Sequence, residues 1–163
     1  MRVLTALAGL AALVGLAGLG WIAWTGLLPA SGGLLPVDLR PLGYDLAAAT
    51  AYLEALSDLG RALIAGPWRS WSTVFALSFA LFLLLVSLRG GGRPAIFGAA
   101  FALGYSAADL LETAAVLRMV AGPVPPDPLT VSGASVLTQV KFGLMALAVL
   151  TAFLARLRRG RGG

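Results

Sequence analysis

Asp109, Glu112 and Lys141 are the residues whose chemistry has to be accounted for first. Two carboxylates three positions apart sit in "SAADLLETAAVL", residues 106–117, and the only lysine of the chain sits in "LTQVKFGL", residues 137–144. Each is embedded in a long apolar run, where a lone charge costs roughly 3 kcal/mol at a helix centre. Side chains of these types in such surroundings can do three things. They can form an ion pair that fixes helix register. They can line a polar pocket that binds a small ligand or lipid headgroup, or relays protons. They can act as acid, base or nucleophile, making an intramembrane enzyme. No hydrolase or transferase motif accompanies them, so the enzymatic reading is the weakest of the three. A lysine in a last helix also fits a retinal Schiff base, but four spans are too few for a rhodopsin.

Spacing brings the three groups together. At about 1.5 Å per residue, Asp109 lies about 22 Å along its helix from Pro94, and Lys141 about 21 Å along its own from Ala155. The two are level, in the outer third of a hydrocarbon core roughly 30 Å thick. Consecutive spans with a short connection normally pack as neighbours, so an Asp109–Lys141 ion pair is expected. Tyr105, Ser106, Glu112 and Thr113 all fall within about 60° of Asp109 at 100° per residue, forming one polar stripe that must face the bundle. Glu112 lies one turn nearer the surface, within reach of Arg40 or Arg61 if the first loop caps the bundle. Gln139 points nearly opposite to Lys141 and stays outside the cluster.

The elements that must hold these residues are membrane helices. Of 163 residues, 59% are hydrophobic and only 12% charged, with mean hydropathy +0.91; a soluble domain carries about twice that charge fraction. The expected architecture is a single all-α membrane domain, a four-helix bundle with spans near 3–24, 71–88, 95–120 and 131–154. The first run is long for a cleaved signal peptide, and no A-x-A site follows it, so it is expected to be retained. Its Ala8, Ala11, Gly15 and Gly18 form a small-residue stripe suited to close helix approach. Between the first two spans, residues 25–70 form a long loop. Its start, "LLPASGGLLPVDLRPLGYD", should be irregular. Asp45 should cap an amphipathic helix over 46–64, ended by Gly66–Pro67.

Charge sets the expected orientation. Arg2, Arg89, Arg93, Arg156, Arg158, Arg159 and Arg161 flank one end with no acid among them, whereas the loop end mixes four arginines with five acids. The positive-inside rule then places both termini in the cytoplasm and the first loop outside. The basic residues flank apolar runs and form no groove, so nucleic acid is not an expected partner. Membrane lipids, a protein partner or a second copy of the chain are. The sequence has no cysteine and no histidine. Disulfides, thiolate chemistry and the common zinc, haem and copper ligands are therefore absent, and no cofactor or metal is assigned.

Several motifs together resemble a family of small, uncharacterised bacterial four-helix inner-membrane proteins. "DLRPLGYD", residues 38–45, is similar to that family's Asp-Leu-Arg-Pro-x-Gly-Tyr element, and "YLEALSDLGRAL" to the amphipathic stretch that follows it. "DLLET" is similar to an Asp-x-x-Glu-Asn motif, with Thr113 in place of asparagine, and Lys141–Phe142 to a lysine-aromatic element in the last helix. Ala76 stands where the family often has proline. The likeness spans roughly residues 34–155 and implies a four-helix bundle with an outer first loop, without an activity. It points to Asp38, Arg40, Pro41, Gly43, Tyr44, Gly60 and Arg61 beside Asp109, Glu112 and Lys141.

The resulting expectation is a non-enzymatic accessory or interaction protein, or a binder of lipid or a small ligand. Its site is a cluster of Asp109, Glu112, Lys141, Tyr105 and Thr113, with Arg40, Arg61 and Tyr44 as partners from the loop. An oligomeric ion or solute transporter is the alternative.

Overall fold

The computed structural model describes residues 1–161, with side chains described through Leu157; Arg158, Arg159 and Arg161 lie outside the described side chains. Five helices account for most of the chain. Helix α1 covers Arg2–Ala30, α2 Leu46–Ala55, α3 Asp58–Gly90, α4 Gly92–Ala121 and α5 Pro128–Arg161. Four of them, α1, α3, α4 and α5, are long and apolar enough to cross a membrane. The molecule is an all-α, multi-pass membrane bundle.

Two of the helices are longer than their sequence signals. Helix α1 does not stop at Trp24 but continues through a π-helical turn, Ala23–Leu27, to Ala30. Likewise, Pro67 lies inside α3 instead of ending a helix. A proline in a regular helix removes one hydrogen bond and pushes against the carbonyl four residues back. Here the turn Ile64–Trp68 is π-helical, and this wider turn carries the chain past the ring. The expected helix over 46–64 is instead broken at Leu56–Ser57. Ser57 caps the new helix, accepting from the Gly60 N–H at 3.3 Å, and its own N–H donates to the Ala30 carbonyl at 2.9 Å. A good N-cap residue thus wins over continued helical periodicity. Asp45 caps α2 as its sequence position implies, accepting from the Ala48 N–H at 2.8 Å.

Helix α3 is the hub and packs against each of the other membrane helices, whereas α1 packs chiefly against α3. The α1–α3 seam depends on missing side chains. A Cβ on Gly15 would stand 3.0 Å from the Phe75 Cα, and one on Gly18 would stand 2.7 Å from the Trp71 ring. The buried face of α1 is Thr5, Ala8, Ala12, Gly15 and Leu19; Ala12, not Ala11, carries the small-residue stripe at mid-helix. Its other faces expose Leu7, Leu10 and Leu13, as a lipid-facing surface must.

At the opposite edge α4 and α5 form the most extensive interface in the molecule. Above it, the first loop folds back onto the bundle. A 3-10 turn, Val37–Leu39, packs on α4 and α5, with Val37 and Asp38 buried. Gly43, at φ +82°, sits so close to α5 that a Cβ there would meet the Gln139 amide and the Ser135 hydroxyl. The adjacent Tyr44 N–H donates to Ser135 Oγ at 2.9 Å. The loop is therefore stitched to α5 by backbone that only glycine allows to approach.

Candidate functional site

Asp109 and Lys141 face each other across the α4–α5 seam, with Lys141 Nζ 3.3 Å from Asp109 Oδ1. The expected ion pair is present. Glu112, one turn along α4, shares the same ammonium as a second salt bridge. All three are deeply buried, at 5%, 1% and 7% exposure for Asp109, Glu112 and Lys141. Glu112 also accepts a hydrogen bond from Thr138 Oγ1, one turn before Lys141 on α5. Spacings of three on both helices put acceptors and donors on facing stripes, so two turns of α4 match two turns of α5. Lys141 further lies 5.4 Å from the centroid of the Phe142 ring.

The loop contributes an acid, not a base. Neither arginine reaches Glu112. Arg40 turns back on its own segment, donating to the Leu35 carbonyl through Nε at 3.2 Å and Nη2 at 2.8 Å. Arg61 donates to the Val120 carbonyl at 2.7 Å and the Leu53 carbonyl at 2.8 Å. Val120 lies in the last turn of α4, where a cation complements the helix dipole, so Arg61 ties α2 and α3 to the end of α4. Asp38 instead points inward. Its Oδ2 accepts from Trp68 Nε1 at 2.7 Å, and its charge acts on Asp109, Glu112 and Lys141 alike. Trp68 belongs to the π-helical turn of α3; an irregular turn thus presents an indole to a buried carboxylate.

The remaining sequence candidates divide. Tyr105 is buried one turn from Asp109, its ring edge-on to Phe79 at 6.0 Å. Thr113 is half-buried on a different side, next to Asp38, Trp68 and Arg69. Tyr44 is held over the cluster by its backbone. Its hydroxyl is buried and makes no well-formed hydrogen bond, although Glu112 and Thr138 are close enough to act on it. Burial pushes the Tyr44 phenol above its ordinary range, and the nearby Glu112 charge adds to this. The Tyr52 phenol is raised too, by burial first and the Asp38 charge second.

Ser72, Trp68 and Thr138 are the members that sequence reasoning left out of the cluster, while Asp38 was indicated by the resemblance alone. Thr138 carried a signal, being three residues before Lys141 on the same face. Ser72, whose hydroxyl stands 3.5 Å from Asp109 Oδ2, is an isolated hydroxyl in an apolar span and carried little. From the residues themselves Asp38 could be assigned only to a loop.

Asp38, Asp109 and Lys141 also border a cavity of about 290 Å³. Its other walls are α1, through Leu16, Leu19 and Ala23, and the aromatic rings of Trp68, Phe75, Tyr105 and Phe142. The cavity occupies the gap between α1 and α5, which do not pack closely on one another. Among the described residues no group of carboxylates converges as a metal ion requires. The chain matches no family model, no curated protein and no solved structure.

Proposed function

We propose that this protein is a non-enzymatic membrane protein of a bacterial inner membrane that binds a small cationic amphiphile at the loop end of its bundle. In this reading the loop end faces outward and both termini are cytoplasmic, in accord with the arginines at the opposite end. The likeness of its motifs to the bacterial four-helix family supports the same setting.

The observation that carries the reading is the make-up of the cavity wall. The cluster sets the carboxylates Asp38, Asp109 and Glu112 against one ammonium, a formal excess of two negative charges in a buried place. Glu112 is fully engaged by Lys141 and Thr138 and has a structural role. Asp38, Asp109 and Lys141 border the cavity, a formal excess of one negative charge at its wall, beside four aromatic rings. Carboxylates next to aromatic faces are the surroundings that stabilise an organic cation. The lateral gap between α1 and α5 accommodates its apolar body.

The test uses dodecyltrimethylammonium below its micellar concentration, with dodecanol as the uncharged control. The expected result is a thermal stabilisation of the purified protein by the cation, absent with the alcohol and lost in Asp38→Asn/Asp109→Asn. Equal stabilisation by both probes, or an unchanged shift in the double variant, would refute it. For orientation, Leu42, 93% exposed in the loop, is replaced by cysteine in this cysteine-free chain. A membrane-impermeant maleimide should label it on intact cells; labelling only after permeabilisation would reverse the topology.

A further inference from the structure

The other end of the molecule holds a second cavity, independent of the polar cluster. It measures about 630 Å³ and gathers Arg2 of α1, Arg89 of α3 and Arg156 of α5 around one space. Three cations from three helices converge where every Asp and Glu of the chain is distant in sequence and lies toward the loop end. Arg89 Nη1 donates to Thr5 Oγ1 at 3.3 Å, which sets its guanidinium at the wall of the cavity. Arg2 stands in the first turn of α1, which contains no acidic residue. The positive end of that helix dipole therefore adds to the local field instead of offsetting it.

This cavity adjoins an apolar groove. Thr5 and Phe82 border both spaces. The groove, about 500 Å³, runs along α1 from Thr5 to Leu16 against Phe75, Phe79 and Phe82 of α3. Phe82 lies against α1 at Gly9, where a Cβ would stand 3.1 Å from its ring, and both residues line the groove. The eleven helical steps from Thr5 to Leu16, at about 1.5 Å each, make the groove about 16 Å long. That is about half of a hydrocarbon core roughly 30 Å thick, the depth of one leaflet.

We infer that this end binds one anionic phospholipid of the adjoining leaflet, its phosphodiester among Arg2, Arg89 and Arg156 and one acyl chain along the α1–α3 groove. Charge selects the occupant. A second copy of the chain would bring its own arginines to the same level and repel. A zwitterionic lipid fits the groove but brings its own cation to the three guanidiniums. An anionic headgroup satisfies both parts of the site, and guanidinium is the side chain best shaped for phosphate.

Native mass spectrometry of the full-length protein with phosphatidylglycerol and phosphatidylcholine of identical chains tests the assignment. The protein should retain phosphatidylglycerol preferentially. Arg156→Gln and Arg2→Gln should each reduce that preference roughly fivefold, the effect of one basic residue at an anionic surface. Arg93→Gln is the control, since Arg93 is an exposed residue at the same end that does not line the cavity. Its removal should change the preference less than twofold. Gly9→Leu, which adds a side chain at the groove wall against Phe82, should weaken retention of long-chain phosphatidylglycerol while sparing its dihexanoyl analogue. Equal retention of both lipids would overturn the site. An effect of Arg93→Gln as large as that of Arg156→Gln would reduce it to the general field of the basic end. Displacement of the lipid by an excess of inorganic phosphate would make it a simple anion site. Thermal midpoints of the arginine variants, expected to stay at the parent value, separate lost binding from lost folding; for Gly9→Leu, which crowds Phe82, retained binding of the dihexanoyl analogue serves that purpose.

Discussion

The α4–α5 seam and the α1–α3 seam solve the same problem by opposite means. Both must hold two apolar helices in register where no hydrophobic driving force separates helix from lipid. The α4–α5 seam does so with ions: Lys141 is gripped by Asp109 and Glu112, and Glu112 by Thr138. Slide either helix by one turn and an unpaired charge is left in hydrocarbon. The α1–α3 seam uses shape: Gly15 lets the Phe75 backbone approach, and Phe82 lies over Gly9. The first arrangement penalises a wrong register heavily, while the second rewards the right one modestly. The difference also explains where open space remains. The charged seam is sealed along Glu112, whereas α1, held on one side only, leaves cavities on its flank at both ends.

Lys141→Met attacks the charged seam directly and should have the largest effect. Removing one partner of a buried pair costs about 3–5 kcal/mol because the other charges stay behind. The thermal midpoint in detergent should fall by on the order of 10 °C. The triple variant Asp109→Asn/Glu112→Gln/Lys141→Met should recover most of this, since the only carboxylate left in the cluster is Asp38, which accepts from Trp68 Nε1. A single variant as heat-stable as the parent would remove the register role from these residues. Gly15→Leu attacks the shape-based seam. Its side chain would meet Phe75 Cα and N, which cannot swing aside. Overpacking of this kind costs about 1–3 kcal/mol. The fall in midpoint should be about half that of Lys141→Met; a larger fall would invert the proposed ranking of the two seams.

The two seams were unequally legible in the sequence. Helical geometry and a short connection suffice to align Asp109 with Lys141, because depth along a straight helix is a matter of counting residues. The α1 stripe was displaced by one position, Ala12 for Ala11, because small residues crowd all round α1 and none commits the face. Pro67 reads as a helix end because the sequence does not announce that a π-helical turn will absorb it. Asp38, indicated by the motif resemblance, could not be placed in the cluster by residue spacing. In sequence it is one acid in a proline-bracketed loop, and its burial depends on the 3-10 turn, the Trp68 indole and the docking of Gly43 on α5, all of them tertiary. The same long-range folding explains Arg40 and Arg61. Both lie in the loop region near the cluster, yet each finds a backbone carbonyl closer than any carboxylate.

The loop that covers the charged seam supplies the mildest test, and it is a test of pH. Tyr44 and Tyr52 keep their phenols buried in the folded loop, with values raised above the ordinary 10.0 by burial and then by Glu112 and Asp38 respectively. A group whose folded value is raised stabilises the fold fully below its unfolded value and loses that contribution as pH rises. Below about pH 10 the two tyrosines should therefore have no influence on the pH dependence of stability. Above it, the unfolded loop ionises while the folded loop does not, so the loop should loosen progressively with rising pH. Proteolysis within residues 31–45, measured from neutral to pH 11, should accelerate only in the alkaline range. Tyr44→Phe/Tyr52→Phe, which leaves no phenol to ionise, should flatten the profile. The cluster beneath rests on Asp109, Glu112 and Lys141, so the helices α4 and α5 should stay packed at a pH where the loop already opens. Simultaneous loss of loop and helix protection would mean that the loop is part of the charged seam and not a cover laid over it.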